Sequence, residues 1–157
     1  MPFNKSNNIL KYLKEKGYNE TEKDINVILL KNIIKNENRI CKLVLEYAYK
    51  NDIILKINGK NKYGNNPFIW SIHNNNIEIV KLIIDYARKK NIIININEKT
   101  RKGNYPLLIS IKNNNIEMIK LIMDYANKTN TKLKIKDNDI KEASKINNDI
   151  KKNIGYL

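Results

Sequence analysis

The sequence predicts an all-α fold: a helical repeat solenoid of stacked helix–turn–helix units, with room for short extended segments between repeats. Two observations predict it. Residues 64–87 align with residues 103–126 at an offset of 39, with 16 of 24 positions identical, and most of the others exchange one apolar residue for another. Within each period an apolar stretch follows a proline, an Asn-Asn-Asn triplet interrupts it, and a second apolar stretch follows. Composition bias alone produces asparagine runs, but it does not readily put Gly, Pro, Ser, Glu, Asp and Tyr in register. A period of roughly 20–50 residues is the signature of architectures built by stacking one small unit.

Residues 1–24 read as an N-terminal capping helix and linker. Ile9, Leu10, Tyr12 and Leu13 form an amphipathic stretch that stops at Gly17, and turn residues follow. An end unit has to cover the core and show a polar outer face. Residues 25–57 read as a divergent repeat, because Leu43, Tyr47 and Ala48 precede Leu82, Tyr86 and Ala87 by one period. Residues 58–96 and 97–135 are the two clear repeats.

In the clear repeats Pro67 and Pro106 suit the first turn of a helix, where a missing N–H costs little. The Asn triplets tolerate the turn and left-handed geometry that ends it. A second helix runs from Ile77 to about Lys89. With Val80, Leu82, Ile83 and Ile84 apolar, it has too many apolar faces for a lone surface helix and suits one covered by neighbours. Each buried Ile or Leu contributes roughly 1.5–3 kcal/mol, which over one unit offsets the ordering entropy. The β-branched run at 92–94 is expected to be extended, either beginning a strand or packing beneath the helices. Residues 136–157 read as a partial C-terminal capping repeat. Ser144 and Ile150 echo Ser110 and Ile116 with five residues lost, which leaves too little chain for a full second helix.

These residues resemble the ankyrin repeat, whose pattern is a turn Gly, then Thr-Pro-Leu-His-x-Ala, a turn, and a second helix of Glu-Ile/Val-Val-x-Leu-Leu-Leu type. Gly103, Pro106 and Leu107 match its opening, and Ser110 stands at its first Ala. The stretch from Ile116 to Met123 is similar to its second helix, and residues 64–87 agree in the same way. The resemblance covers about 25–155 and is strong over 58–135. Asn66 and Tyr105 stand at the Thr position, Ile69 and Leu108 at the His position, and Asn75 and Asn114 at the Gly between the helices. The period is 39 residues against the family's roughly 33.

Ile, Asn and Lys number 29, 29 and 27, more than half of the 157 residues. Their codons are AT-rich, so part of the net charge of +14 reads as coding bias. Arg39, Arg88 and Arg101 are the only arginines, and arginine is the residue that grips phosphate in a bidentate fork. The lysine excess therefore points only weakly to nucleic acid. One cysteine, Cys41, excludes an intrachain disulfide and suits a reducing compartment. No signal-peptide hydrophobic region opens the chain, and no run of about 18 apolar residues exists. The expectation is an intracellular protein, cytoplasmic or nuclear.

No catalytic residue, cofactor or metal site is expected. His73 is the single histidine, so one chain holds no His cluster. Cys41 and His73 are a conceivable nucleophile–base pair, but Cys41 occupies the repeat position of Val80 and Ile119, which is a core position. No glycine-rich phosphate loop exists. Glu78 with Glu117 and Asp85 with Asp124 recur in register, which argues for structural roles, since an active site occurs once. Trp70, Tyr86 and Tyr125 also read as packed residues.

The resemblance implies a non-catalytic protein–protein interaction module that binds through the turn tips and the exposed face of each first helix. Carried over position by position, that surface is Lys62, Tyr63, Asn65 and His73 in one repeat, and Arg101, Lys102, Asn104 and Lys112 in the next. The four cations suit an acidic protein surface, and Tyr63 is the best single anchor. The alternatives are a basic nucleic-acid-binding solenoid and a regulatory fragment of a larger protein.

Overall fold

The computed structural model describes residues 5–154, and within them the side chains of 9–145, 147–150, 152 and 154. The expectations for the ends of the N-terminal cap and the C-terminal partial repeat, residues 1–4 and 155–157, lie outside the described residues. Among those described the chain is all-helical. In order come α1 (Lys5–Glu15), α2 (Ile25–Ile34), α3 (Asn38–Lys50), α4 (Pro67–His73), α5 (Ile77–Lys89), α6 (Pro106–Lys112), α7 (Ile116–Lys128), α8 (Asp137–Ile146) and α9 (Asn148–Ile154).

Local chemistry sets these bounds. Asn66, Asn76 and Asn115 each accept the N–H of the residue three further on, 2.8–3.0 Å away, and so cap α4, α5 and α7. Such a cap is worth about 1 kcal/mol. Asn75 and Asn114 hold φ of 55° and 51°, and Asn36 holds 63° at the same point between α2 and α3. Asparagine is one of the few residues that enter this left-handed region at modest cost. The second helices end on a similar residue: Asp52, Asn91 and Asn130 at φ 54°, 54° and 51°.

Consecutive helices pair as α2 with α3, α4 with α5, α6 with α7, and α8 with α9. Neighbouring pairs then meet, with α2 on α4, α4 on α6 and α6 on α8, while α3 packs on α5 and α7 on α9. One core runs through the contacts, including Ile28, Cys41, Val44, Phe68, Ile72, Ile83, Ile111, Met118 and Ile122, all nearly solvent-free. Ile9 and Leu13 join α1 to this core, and Tyr12 lies 5.3 Å from Tyr47. No helix among the described residues is long and apolar enough to cross a membrane.

The extended segments expected between repeats do not form strands among the described residues. Around 92–96 side chains take the place of a paired strand. Asn58 donates Nδ2 to the Ile93 carbonyl at 2.8 Å and accepts the Asn95 N–H at 3.0 Å. Asn97 repeats this on Lys132 and Lys134, both at 2.9 Å. The Tyr125 hydroxyl accepts the Ile94 N–H at 2.8 Å, as that of Tyr86 accepts the Leu55 N–H at 3.0 Å. A run with its polar groups met in this way needs no neighbouring strand.

Candidate protein-interaction surface

Two five-residue turns carry most of the expected surface. In the first, Asn61 N–H donates to the Asn65 carbonyl at 2.8 Å, while Asn61 Oδ1 accepts the N–H groups of Tyr63 and Asn65. In the second, Thr100 N–H donates to the Asn104 carbonyl at 2.8 Å, and its hydroxyl accepts the Asn104 N–H. Gly64 and Gly103 turn the corner, each at φ 76°. The turns touch: Arg101 N–H reaches the Tyr63 carbonyl at 3.4 Å, and a Cβ at Gly64 would lie 3.0 Å from that nitrogen. Gly64 therefore sets the spacing between the tips as well as their shape.

On this frame Lys62, Tyr63, Arg101 and Lys102 are exposed. Tyr63 keeps 55% of its surface free, and the Lys62 ammonium sits 5.0 Å from its ring centre. Lys112, at the end of α6, donates Nζ to Asn104 Oδ1 at 2.8 Å, which ties the tip to the helix behind it. His73, at the end of α4, faces solvent with Trp70 6.0 Å to one side. Partial burial, and then the charges of Lys102 and Lys112, hold its imidazole below the usual histidine value. His73 is thus within electrostatic reach of Lys102 and Lys112. Among the described residues no carboxylate pairs with Lys62, Arg101, Lys102 or Lys112.

Asn65 departs from the expected position. It is 7% exposed, because the turn folds its side chain inward, and its Oδ1 has no hydrogen-bond partner. Trp70 packs against the core, partly buried where Ile109, one period later, is fully buried, and its buried Nε1 has no hydrogen-bond partner among the described residues. Cys41 is wholly buried, and desolvation followed by the charge of Glu37 pushes its thiol up to about 12. A thiolate is therefore strongly disfavoured there. Among the described residues no group of His, Cys, Asp or Glu is arranged to hold a metal ion.

Sequence reasoning missed three surface residues, Val27, Leu30 and Ile34. The signal was present, since α2 has apolar residues on every face. Tyr105 was also missed. Its hydroxyl donates to Asp139 at 2.6 Å and accepts the Lys136 N–H, fastening α6 to the start of α8. Compared with known protein families and with curated proteins, the chain matches none.

Proposed function

We propose that the chain is a divergent ankyrin-like repeat solenoid, with units at 25–57, 58–96, 97–135 and 136–157. In this reading it is a non-catalytic protein–protein interaction module of the cytoplasm or nucleus. Its partner presents an acidic surface to the turn tips and first-helix ends. Hydrogen bonds that recur one period apart support the repeat reading. The amide of Asn74 reaches the Ile33 carbonyl at 2.6 Å, and that of Asn113 reaches the Ile72 carbonyl at 3.0 Å. The amides of Asn76 and Asn115 likewise reach back to Asn36 and Asn75.

One observation carries the binding reading. Two hydrogen-bonded turns, in contact where the Arg101 N–H meets the Tyr63 carbonyl, hold an exposed tyrosine and cations that have no carboxylate partner among the described residues. A surface fixed before binding loses little entropy on association. Unpaired surface cations steer an acidic partner and set its register more than they add affinity. Tyr63 supplies contact area at low entropic cost.

The test is titration of the chain with poly-glutamate and with duplex and single-stranded nucleic acid at rising salt. Binding of poly-glutamate that Arg101→Glu with Lys102→Glu removes is the expected result. Nucleic-acid binding that persists near physiological salt and disappears in the same variant would overturn the reading in favour of a basic nucleic-acid-binding solenoid, for which a steep salt slope is the mark.

A further inference from the structure

The helix α2 reads Ile-Asn-Val-Ile-Leu-Leu-Lys-Asn-Ile-Ile. Its core face is Ile25, Ile28, Leu29, Asn32 and Ile33. The remaining apolar residues form a second stripe at i, i+3 and i+7: Val27 at 45% exposed, Leu30 partly exposed, and Ile34 at 46%. Scattered surface hydrophobics are ordinary, but three at this spacing form the pattern by which helices and grooves anchor each other.

The stripe is exposed because this unit lacks a turn tip. Ile25 stands at the repeat position of Gly64, so α2 is already helical where the later units are still turning. Ile34 stands at the repeat position of His73 and Lys112. Asn74, next to His73, places its amide 2.6 Å from the Ile33 carbonyl and 3.5 Å from that of Ile34. The row of first-helix ends thus runs from apolar Ile34 through titratable His73 to cationic Lys112.

Beside the stripe lies a groove of about 410 Å³, walled by the following turn at Gly59 and Asn61 and by Pro67. Lys31, Lys56 and Lys60 stand on its rim, Lys31 bridged to Glu20 and Lys60 to Glu98. Asp24 is the one carboxylate lining it, and its oxygen is already engaged by the Asn26 N–H that it caps. Lys56 has no ion-pair partner among the described residues. An apolar floor beside Lys56, with the cations beyond His73 further along the same row of helix ends, is complementary to one kind of segment.

Building on the protein-interaction reading above, we infer that the Val27–Leu30–Ile34 groove takes an acidic peptide that carries apolar side chains at helical spacing. Its apolar residues seat on α2, and its carboxylates face Lys56 and the row of cations beyond His73. The walled groove suits a peptide side chain better than the flat surface of a bilayer.

The experiment compares two probes on the full chain by fluorescence anisotropy: a glutamate-rich helical peptide with leucines at i, i+3 and i+7, and poly-glutamate of equal charge. The leucine peptide is expected to bind roughly tenfold more tightly. Val27→Gln with Ile34→Gln, both exposed and so compatible with folding, removes that advantage and leaves poly-glutamate binding unchanged. Equal affinity for the two probes, or no effect of the double variant, would overturn this inference while leaving the acidic-partner reading standing. Binding of neither probe would sink both. A dimer by sedimentation, or binding to anionic vesicles, that is lost in the double variant would also overturn it, because the stripe would then have a different occupant.

Discussion

The side-chain amide of Asn113 donates to the main-chain carbonyl of Ile72 across the boundary between two helix pairs, at 3.0 Å. Asn74 does the same to Ile33 one period earlier. Each bond adds a second donor to a carbonyl in the last turn of the preceding first helix, which already accepts a turn N–H, that of Asn75 on Ile72 and that of Asn36 on Ile33. The first asparagine of the triplet therefore fastens one pair to the next, the second takes the left-handed turn, and the third caps the helix that follows.

It follows that Asn113→Ala should destabilise the chain although it removes no apolar contact. The Ile72 carbonyl keeps the Asn75 N–H, so the expected loss is that of one ordinary hydrogen bond, roughly 0.5–1.5 kcal/mol. Urea unfolding followed by circular dichroism reads this as a lower midpoint with an unchanged slope. An unchanged midpoint would show that water replaces the amide at no cost.

Tyr86 and Tyr125 allow a graded version of that test. The Tyr86 hydroxyl donates to the Ile53 carbonyl at 2.6 Å and accepts the Leu55 N–H, while that of Tyr125 accepts the Ile94 N–H. Removing either hydroxyl leaves a buried N–H unpaired, so Tyr86→Phe and Tyr125→Phe should each lose roughly 1–3 kcal/mol. Tyr86→Phe should be the worse, because it orphans a carbonyl as well. Equal unfolding midpoints for the two variants would show that the Ile53 bond contributes nothing.

These cross-boundary bonds mark the limit of what the sequence made legible. The ends of α5 at Ile77 and Lys89 follow from the apolar pattern, and Pro67 and Pro106 open their helices as their missing N–H requires. The run at 92–94 reads as extended, either beginning a strand or packing beneath the helices; Ile94 is buried, and Asn58 and Tyr125 meet the polar groups that a neighbouring strand would otherwise meet. The identity of Asn58 and Asn97 was the available signal, and a side chain that reaches a segment 35 residues further along leaves no local period to read. The resemblance suggested an exposed Asn65, yet the turn, in which its N–H donates to Asn61 Oδ1, folds its side chain inward. The apolar residues on every face of α2 signalled that some of them face outward, but an exposed isoleucine and a buried one look alike in a sequence, so which ones was not legible.

His73 gives a pH dependence with a definite sign. Its folded-state value lies below the ordinary 6.5, so between the two values the unfolded chain binds more protons. Stability is full above 6.5 and falls as the pH drops through that window, with no recovery below it. Binding to poly-glutamate moves the other way, because protonated His73 adds a charge beside Lys102 and Lys112. Unfolding midpoints and affinities measured on either side of the window should thus diverge, and His73→Gln should flatten both. A pH response that survives in His73→Gln would assign it to other groups.

The turn tips make the most direct prediction about partner binding. Arg101 and Lys102 are exposed, and exposed pairs contribute only about 0.2–1 kcal/mol each. Reversing both charges converts two attractions into two repulsions, so Arg101→Glu with Lys102→Glu should weaken poly-glutamate binding by roughly tenfold or more. Added salt should shrink that difference, since screening acts on exposed charges first. Both side chains point away from the core, so the thermal midpoint should hardly move. Tyr63→Ala, which removes an exposed ring beside Lys62, should cost a folded protein partner more than it costs poly-glutamate, because a flexible polyanion offers the ring no pocket. If the charge reversal leaves poly-glutamate affinity unchanged at low salt, the acidic partner is drawn by the diffuse lysine charge of the whole chain, and the paired tips have no special part in its recognition.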